Sequence, residues 1–288
     1  LYQSKSIETD SSGVYNHVQF PNGERRILTP EERAYPEQLA KGARIFCADN
    51  ATSTGFSERL SADIALNGST YTCGSNKHWK THPQGMQRLI VANRLIPGGK
   101  SLRYIRFIDD FAVYPHVNMW LDTGTGSFTD DKIYVVQTGV KTVERCLLMA
   151  TDPGDLVLDP TCGSGTTAYV SEQWGRRWIT IDTSRVALAL ARARIMGARY
   201  PFYYLADSPE GQRKEAEIRG IAPSEAPTPT HGDLRQGFVH ERVPHVTLKS
   251  IANNAEIDVI WDKHQGILEP LRQSLNAALG KDWEEWQI

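Results

Sequence analysis

The sequence has few cysteines, no long apolar run and no excess of basic residues. Its four cysteines, Cys47, Cys73, Cys146 and Cys162, follow neither a metal-binding nor a disulfide spacing, so we expect no metal site and a reduced, cytoplasmic setting. No apolar stretch approaches the ~20 residues of a membrane-spanning helix, and no signal peptide opens the chain. A net charge of −2 means that any contact with nucleic acid must use a local basic surface.

The first residue is also not methionine. The chain begins at Leu1, from which we expect that it is an amino-terminally truncated piece of a longer protein. Its 288 residues suffice for one large or two small domains with a sizeable core.

The segment 156–167, Leu-Val-Leu-Asp-Pro-Thr-Cys-Gly-Ser-Gly-Thr-Thr, is the most informative part of the sequence. A short apolar run ends in an acid and is followed by small residues, which predicts a strand, a tight loop and the start of a helix. Gly163 and Gly165 permit loop torsions that a side chain would forbid. The backbone N–H groups at the helix start, near Thr166 and Thr167, would form a site for an anionic or polar ligand.

A second apolar stretch, Trp178–Asp182, also ends in an acid and completes a strand–helix–strand unit. Gly163, Gly165 and Ala168 fit the spacing Gly-x-Gly-x-x-Gly/Ala. Asp182 lies about twenty residues further on, where a carboxylate takes ribose hydroxyls. The pattern therefore predicts a ligand that contains a nucleoside.

Residue chemistry distinguishes three classes of nucleoside ligand. A P-loop requires Lys after its last glycine, and Gly165 is followed by Thr166, which excludes that class. A nicotinamide dinucleotide would bring its pyrophosphate to Asp159, where the two negative charges repel. S-adenosylmethionine carries a cationic amino group and a sulfonium, so an acid at position 159 favours this cofactor.

Residues 159–167, Asp-Pro-Thr-Cys-Gly-Ser-Gly-Thr-Thr, resemble the cofactor motif of prokaryotic DNA amino-methyltransferases. Upstream, residues 134–145, Tyr-Val-Val-Gln-Thr-Gly-Val-Lys-Thr-Val-Glu-Arg, resemble the segment that these enzymes place just before the motif. There Gln137 matches, whereas Thr138-Gly139 departs from the commoner Lys-Pro. The wider run from Trp79 to Tyr204, roughly half of the chain, most resembles the modification subunits of type III restriction systems and related adenine-specific methylases.

The resemblance implies S-adenosylmethionine as cofactor and double-stranded DNA as substrate. It also allows a restriction subunit as a partner, and an oligomer, and it implies no membrane association. The cofactor-binding residues that it and the glycine pattern predict are Asp159, Pro160, Cys162, Gly163, Ser164, Gly165, Thr166, Thr167, Asp182, Thr183, Gln137 and Thr138.

A catalytic motif is missing from the sequence. Enzymes of this class resemble one another in an Asp/Asn/Ser-Pro-Pro-aromatic tetrapeptide that holds the amino group of the flipped base, and no such tetrapeptide occurs here. Asp207-Ser208-Pro209-Glu210 lacks the second Pro and the aromatic ring that would stack on a base. We therefore name no catalytic residue and expect the motif on the amino-terminal side of Leu1.

No acid occurs between Asp63 and Asp109, although the chain as a whole is slightly acidic. An acid-free basic stretch is typical of a DNA-facing insert, because phosphate contacts dominate affinity for DNA. An ordinary solvated face is the alternative, and Trp79 and Tyr104 are interpreted as core residues rather than base-stacking ones. The predicted DNA-binding residues are Lys77, Lys80, Arg88, Arg94, Arg103 and Arg106.

Local signals predict further elements. Turn sequences predict hairpins around residues 21–23 and 67–68, and a capping box at Thr29 predicts a helix start. A turn at 124–126 leads to a strand at 133–136, and a third strand of the half-sheet is predicted at 201–205. Helices are predicted at 83–93, at 140–150, and after Ser184, the last with Leu188, Ala191 and Ile195 toward the sheet and Arg192 and Arg194 outward.

Together these patterns predict an α/β fold, namely a Rossmann-like S-adenosylmethionine-dependent methyltransferase with a partial sheet and a small α+β DNA-facing insert. The predicted domains are the insert (1–125), the cofactor-binding half (126–209), a linker (210–237) and a helical carboxy-terminal extension (238–288). The predicted activity is methyl transfer to an exocyclic amino group of a DNA base, with adenine favoured over cytosine. The alternative is a non-catalytic DNA-binding or cofactor-sensing module with the same fold.

Overall fold

The computed structural model describes residues 2–7, 12–120, 122–123, 134, 136–221 and 228–288 of a mixed α/β chain. The chain divides into a middle unit, Leu1–Gln3 with Tyr114–Arg242, and a flanking unit, Ser4–Val113 with Val243–Ile288, both named for their place in the sequence. The boundaries thus lie at 113/114 and 242/243. The predicted carboxy-terminal extension belongs mostly to the same unit as the predicted insert.

The described residues contain short strands and helices. The strands are β1 (Tyr2–Ser4), β2 (His17–Gln19), β3 (Arg25–Ile27), β4 (Arg44–Asn50), β5 (Thr52–Thr54), β6 (Ile64–Leu66), β7 (Ser69–Tyr71), β8 (Lys77–Trp79), β9 (Leu95–Gly98), β10 (Ser101–Phe107), β11 (Val113–Pro115), β12 (Leu156–Asp159) and β13 (Arg177–Thr180). The helices are α1 (Pro30–Ala34), α2 (Pro83–Val91), α3 (Val140–Ala150), α4 (Thr166–Gln173), α5 (Arg185–Gly197), α6 (Pro209–Arg219), α7 (Leu248–Ala252) and α8 (Glu256–Leu279).

An antiparallel sheet with strand order β3-β2-β4-β10-β9 is the main sheet of the flanking unit. The principal core of this unit forms where α2 packs against α7 and β6, and it buries Trp79, Met86, Leu89 and Ile251. The indole Nε1 of Trp79 donates a 2.8 Å hydrogen bond to the carbonyl oxygen of Ala62. Trp79 is therefore a core residue, as predicted, and its ring is not available for stacking on a base.

Local chemistry explains several of these elements. Thr29 and Glu32 form the predicted capping box at the start of α1. Asn67 and Gly68 both have positive φ, +50° and +71°, as the tight turn between β6 and β7 requires. The predicted hairpins and the predicted helices α2, α3 and α5 are confirmed.

A β–α–β arrangement, β12-α4-β13, is the framework of the middle unit. The two strands pair in parallel, with Leu158 opposite Ile179 and Asp159 opposite Thr180. Helix α4 packs against both strands. Apolar side chains on the strands remain exposed, including Leu158 at 62 % and Ile179 at 48 %. Parallel sheets are normally covered on both faces. The exposure of these side chains therefore shows that this sheet is only partly covered.

Several predictions about the middle unit are wrong. Residues 201–205 form no strand; Leu205 makes an isolated bridge with Phe238 instead, and Tyr204 accepts a hydrogen bond from Val239. The predicted linker begins with helix α6, which the Ser208 side chain caps and in which Glu215–Arg219 is an i,i+4 ion pair.

On α5, Ala191 is buried as predicted and Ile195 is half-buried, but Leu188 is 40 % exposed, contrary to its predicted place on the apolar face, and Ala187 is buried instead. The predicted turn at 124–126 and residues 133 and 135 of the predicted strand at 133–136 lie outside the described residues.

Candidate functional site

The loop between β12 and α4 has the backbone conformation that its glycines predict. Gly163 and Gly165 have φ of +50° and +74°, and Gly165 is the N-cap of α4. A Cβ added to Gly165 would lie 2.7 Å from the Cβ of Ala191 on α5, so glycine is also required there by close packing. The loop is therefore held against α5 at one point and turns directly into α4.

Asp182, two residues after the end of β13, holds this loop in place by hydrogen bonds. One carboxylate oxygen accepts a 2.8 Å hydrogen bond from the Gly163 N–H, and the other accepts one of 2.8 Å from the Ser184 N–H. These bonds, that from Ser184 first, lower the pKa of Asp182 because they stabilise the charged form. Asp182 thus has a structural role in the loop that the sequence analysis did not predict.

Arg194 holds the same loop from α5. Its Nη1 donates to the Thr166 hydroxyl at 3.0 Å and to the Ser164 carbonyl oxygen at 3.2 Å, and its guanidinium lies 4.8 Å from the centre of the Tyr169 ring. Burial lowers the pKa of Arg194. The prediction that Arg194 points outward is wrong. Its guanidinium points toward the loop, because the Thr166 hydroxyl and the Ser164 carbonyl oxygen accept its hydrogen bonds there.

Asp159 lies at the end of β12. Its Oδ1 accepts hydrogen bonds from the Thr161 N–H at 2.9 Å and from the Thr161 hydroxyl at 3.2 Å. Among the described residues no cationic side chain forms an ion pair with this carboxylate, and Oδ2 has no recorded hydrogen bond. Asp159 therefore presents negative charge that the described part of the protein does not neutralise.

A cavity of about 370 Å³ lies beside the loop. Of the predicted cofactor-binding residues, the cavity wall includes Thr138, Asp159, Cys162, Gly163, Ser164, Thr166 and Thr167. The remaining predicted residues, Gln137, Pro160, Gly165, Asp182 and Thr183, do not line it.

Four residues of the cavity wall were not predicted, namely Val136, Val143, Leu158 and Thr161. Leu158 could have been found from its position just before Asp159 on the strand, and Val143 from its place on the first turn of α3. In the described part of the chain, no Lys, Arg or His lines the cavity. The site is therefore a mixture of hydroxyl, backbone and apolar groups with one carboxylate.

The basic residues of the flanking unit separate into two groups. The Arg88 guanidinium bonds to both Asp258 carboxylate oxygens, at 3.0 and 2.8 Å, and Arg94 bonds to both oxygens of Asp110, at 2.7 and 2.9 Å. Both side chains are largely buried, so the structure corrects their prediction as DNA-binding residues.

The other predicted DNA-binding residues are accessible. Lys77, Lys80 and Arg103 are exposed, and Arg106 is half-buried. Arg103 donates to the side chain of Asn50, a neutral group that leaves its charge unpaired. These four residues therefore stay in the predicted set.

Other features bear on ligand class. Within the described ranges, no group of His, Cys, Asp or Glu is arranged to hold a metal ion, and all four cysteines are free thiols. No helix in the described part of the chain is both long and apolar enough to cross a membrane.

Comparison with known proteins gives the family to which this region is similar. Residues 107–193 match the model of the N6/N4 DNA methylase family. This range contains β12, the glycine loop, α4, β13 and most of α5. The match confirms the resemblance to DNA amino-methyltransferases that residues 159–167 predicted.

Similar curated proteins are type II methyltransferases. M2.DpnII of Streptococcus pneumoniae is 47 % identical over 53 residues, which are 18 % of this chain and 20 % of that protein. M.BamHI of Bacillus amyloliquefaciens is 41 % identical over 58 residues, 20 % of this chain and 14 % of that protein. M.EcaI of Enterobacter cloacae is 26 % identical over 138 residues, 43 % of this chain and 28 % of that protein.

These alignments span less than a third of the length of each relative. They support DNA amino-methylation as the chemistry associated with the matched region. The narrower resemblance to type III modification subunits stays a prediction, as does the amino-terminal truncation.

Proposed function

We propose that the chain supplies the cofactor-binding half of a site-specific DNA methyltransferase that modifies an exocyclic amino group, with adenine favoured over cytosine. The observation that carries this proposal is the Asp159 carboxylate at the 370 Å³ cavity. Among the residues that the structure describes, its charge has no cationic partner and the cavity wall has no basic side chain. Such a site favours a ligand with positive charge and disfavours a phosphate.

The residues present fit S-adenosylmethionine. Asp159 would attract the cationic methionine end, directly or through water. Val136, Val143 and Leu158 offer apolar surface to the adenine ring. Asp182 holds the loop of this cavity without lining it, and we propose that it takes the ribose hydroxyls with the lone pairs that its two backbone hydrogen bonds leave unused.

When bound, S-adenosylmethionine supplies a methyl group on a positively charged sulfur, the electrophile that an amine nitrogen can attack. The residues of this chain contribute by holding the ligand in one position, which is how a site of this kind lowers the barrier. Gly163 and Gly165 allow the left-handed torsions of the loop, and hydrogen bonds from Arg194 and to Asp182 hold the loop in that conformation.

The sequence has no Pro-Pro-aromatic tetrapeptide of the kind expected to hold the target amine. We therefore assign the groups that hold this amine to another part of the complete enzyme. The exposed apolar side chains of β12 and β13, including Leu156 at 54 % and Leu158 at 62 %, support this assignment. Another layer of a Rossmann-like methyltransferase domain would cover them and complete the parallel sheet.

Double-stranded DNA is the proposed substrate, and Lys77, Lys80 and Arg103 are the proposed phosphate contacts. Arg106, whose Nε lies 3.5 Å from the Asp49 carboxylate, stays in the proposed DNA-binding set without a phosphate assigned to it. We also propose a restriction subunit as a partner of the enzyme. The enzyme itself is proposed to form an oligomer. The target base would be flipped out of the duplex to reach the methyl group.

Calorimetric titration with S-adenosylmethionine tests the cofactor site. Asp159→Asn keeps the shape of the side chain and can keep the hydrogen bond from the Thr161 N–H, but it removes the charge. Loss of a charge-assisted interaction should weaken cofactor binding about tenfold. Glu210→Gln, which neutralises an exposed acid on α6 in the same unit, is the matched control and should bind as the unmodified protein does. Unchanged binding by Asp159→Asn would contradict the proposal.

A non-catalytic cofactor-sensing or DNA-binding module is the second candidate, favoured by the missing tetrapeptide. A radiolabelled methyl-transfer assay separates the two. The complete enzyme should label duplex DNA, whereas the 288-residue chain alone should bind cofactor without labelling DNA. Labelling by the chain alone would show that its catalytic residues were misassigned, and no labelling by the complete protein would favour the module.

A further inference from the structure

A second cavity, of about 230 Å³, lies entirely within the flanking unit. Strands β4 and β10 form its floor, and the turn at Ile108–Phe111 and the segment before α7 form its walls. It shares no residue with the cofactor cavity. Its lining combines aromatic rings with charged groups, which is unusual for a simple packing defect.

Two hydrogen-bond donors in this cavity lining are buried without a hydrogen-bond partner in the described part of the chain. They are the Tyr104 hydroxyl and the Arg106 Nε, both from β10. Tyr104 is 4 % exposed, and burial raises the pKa of its hydroxyl to about 12, so it stays protonated. A buried polar group without a partner costs free energy, and such groups often mark a place that a ligand or a water completes.

Asp49 places an acceptor beside these donors. It lies directly opposite Tyr104 in the pairing of β10 with β4, and its Oδ2 is 3.5 Å from Arg106 Nε. Asp110, which also lines the cavity, is neutralised by its two hydrogen bonds from Arg94. The floor therefore offers a row of two donors and one acceptor, the type of pattern that reads the polar edge of a heteroaromatic base.

Rings and cations complete the lining. The Lys5 ammonium lies 5.4 Å from the centre of the Tyr15 ring and 5.8 Å from that of Phe111. Lys80 is exposed at the rim. Aromatic rings stack on bases, and ammonium groups at a rim attract a phosphate.

We infer that this cavity is a nucleotide-binding site, with the base edge at Tyr104, Arg106 and Asp49 and the phosphate near Lys5 and Lys80. A bare phosphate fits less well, because Asp49 would repel it and the aromatic rings would contribute nothing to its binding. The nucleotide is either a residue of the DNA substrate, which rests on the proposed function, or a free nucleotide.

Titration of the full chain with three probes tests this site: dAMP, inorganic phosphate, and a duplex that contains the fluorescent base 2-aminopurine. Tyr104→Phe removes only the hydroxyl and should weaken dAMP binding about threefold to tenfold. Its thermal stability should not fall, because the hydroxyl has no hydrogen-bond partner in the described free protein. Tyr71→Phe, which removes a tyrosine hydroxyl elsewhere in the flanking unit, is the control and should bind all three probes as the unmodified protein does.

The outcomes distinguish a nucleotide of DNA, a free nucleotide, and a cavity that holds only water. If Tyr104→Phe also lowers affinity for the duplex and the change in 2-aminopurine fluorescence, the nucleotide belongs to DNA; if only dAMP binding falls, it is a free nucleotide. Equal binding of inorganic phosphate and dAMP, or no effect of Tyr104→Phe on any probe, would overturn the inference and assign the cavity to water. Asp159→Asn should leave dAMP binding at this site unchanged, so failure of the cofactor proposal is detected separately.

Discussion

The backbone N–H of Gly163 donates a 2.8 Å hydrogen bond to the carboxylate of Asp182. This bond connects the glycine loop, which follows β12, to the residues that follow β13. The second carboxylate oxygen is bound by the Ser184 N–H, and Ser184 is the N-cap of α5. One side chain therefore fixes the loop relative to α5. Asp182, two residues beyond β13, therefore stabilises the loop without any ligand.

This relationship separates Asp182 from Asp159 experimentally. Asp182→Asn keeps one acceptor oxygen of two, so either the Gly163 or the Ser184 hydrogen bond is lost, and the loop should open more often. Amide hydrogen exchange at Gly163 should be faster in Asp182→Asn and unchanged in Asp159→Asn, while both variants should bind S-adenosylmethionine about tenfold more weakly. Equal exchange rates in the two variants would mean that Asp182 does not brace the loop.

The two loop glycines give a second matched pair. Both glycines have positive φ, so replacing either by a residue with a side chain should cost about 1–2 kcal/mol of folding free energy, because that residue must adopt the left-handed conformation. At Gly165 the added Cβ would also meet the Ala191 Cβ at 2.7 Å, whereas at Gly163 its nearest neighbour is 3.8 Å away. Gly165→Ala should therefore lose about 1–3 kcal/mol more in denaturant unfolding than Gly163→Ala. Similar losses would indicate that α5 moves away at little cost.

The local elements were the part of the fold that the sequence could predict. Hairpins and helix starts depend on neighbours a few residues apart, so Asn67-Gly68 and the Thr29 capping box sufficed to locate them. The unit boundaries could not be found in this way. They depend on the packing of residues 243–288 with residues 4–113, a contact between distant segments that leaves no local pattern.

The candidate site shows the same division. The glycine torsions and the position of Asp159 follow from the motif itself. The inward Arg194 could not be predicted, because an arginine on a helix near other basic residues has the pattern of a solvated face. Arg88 and Arg94 had the composition of a DNA-binding surface, but their partners Asp258 and Asp110 come from outside the acid-free stretch.

The basic residues of the flanking unit give a third prediction. Lys77→Ala with Lys80→Ala should weaken duplex binding and lower the slope of log affinity against log salt concentration by up to about 1.8, since each phosphate contact contributes about 0.9. Arg88→Met should leave that slope unchanged and lower the thermal midpoint instead, because it removes the hydrogen bonds of the buried guanidinium to Asp258 and to the Ala252 carbonyl oxygen. A salt titration by fluorescence anisotropy, with a parallel melting curve, measures both quantities. A flatter slope for Arg88→Met would restore Arg88 to the DNA-binding set.

The ion pair between Asp122 and Arg145 gives a prediction about pH. The guanidinium bonds to both carboxylate oxygens, at 2.8 and 2.6 Å, and lowers the pKa of Asp122 from its ordinary value of 3.8 to about 2. The Asp122 carboxylate therefore binds a proton less readily in the folded protein than in the unfolded chain. As a result, the ion pair contributes its full stability at pH values above 3.8, the ordinary pKa of Asp. That contribution is lost as the pH falls from 3.8 toward about 2.

Asp122→Asn removes this titration, so its stability relative to the unmodified protein should depend on pH in a defined way. The variant should be less stable near neutral pH, and the difference should shrink as the pH falls through the interval between 3.8 and about 2. Urea unfolding at several pH values measures the difference. Glu210→Gln, at an exposed acid with no ion pair in the described part of the chain, should show no such convergence. A constant difference between Asp122→Asn and the unmodified protein at all pH values would mean that the Arg145 pair does not hold Asp122 in its charged form.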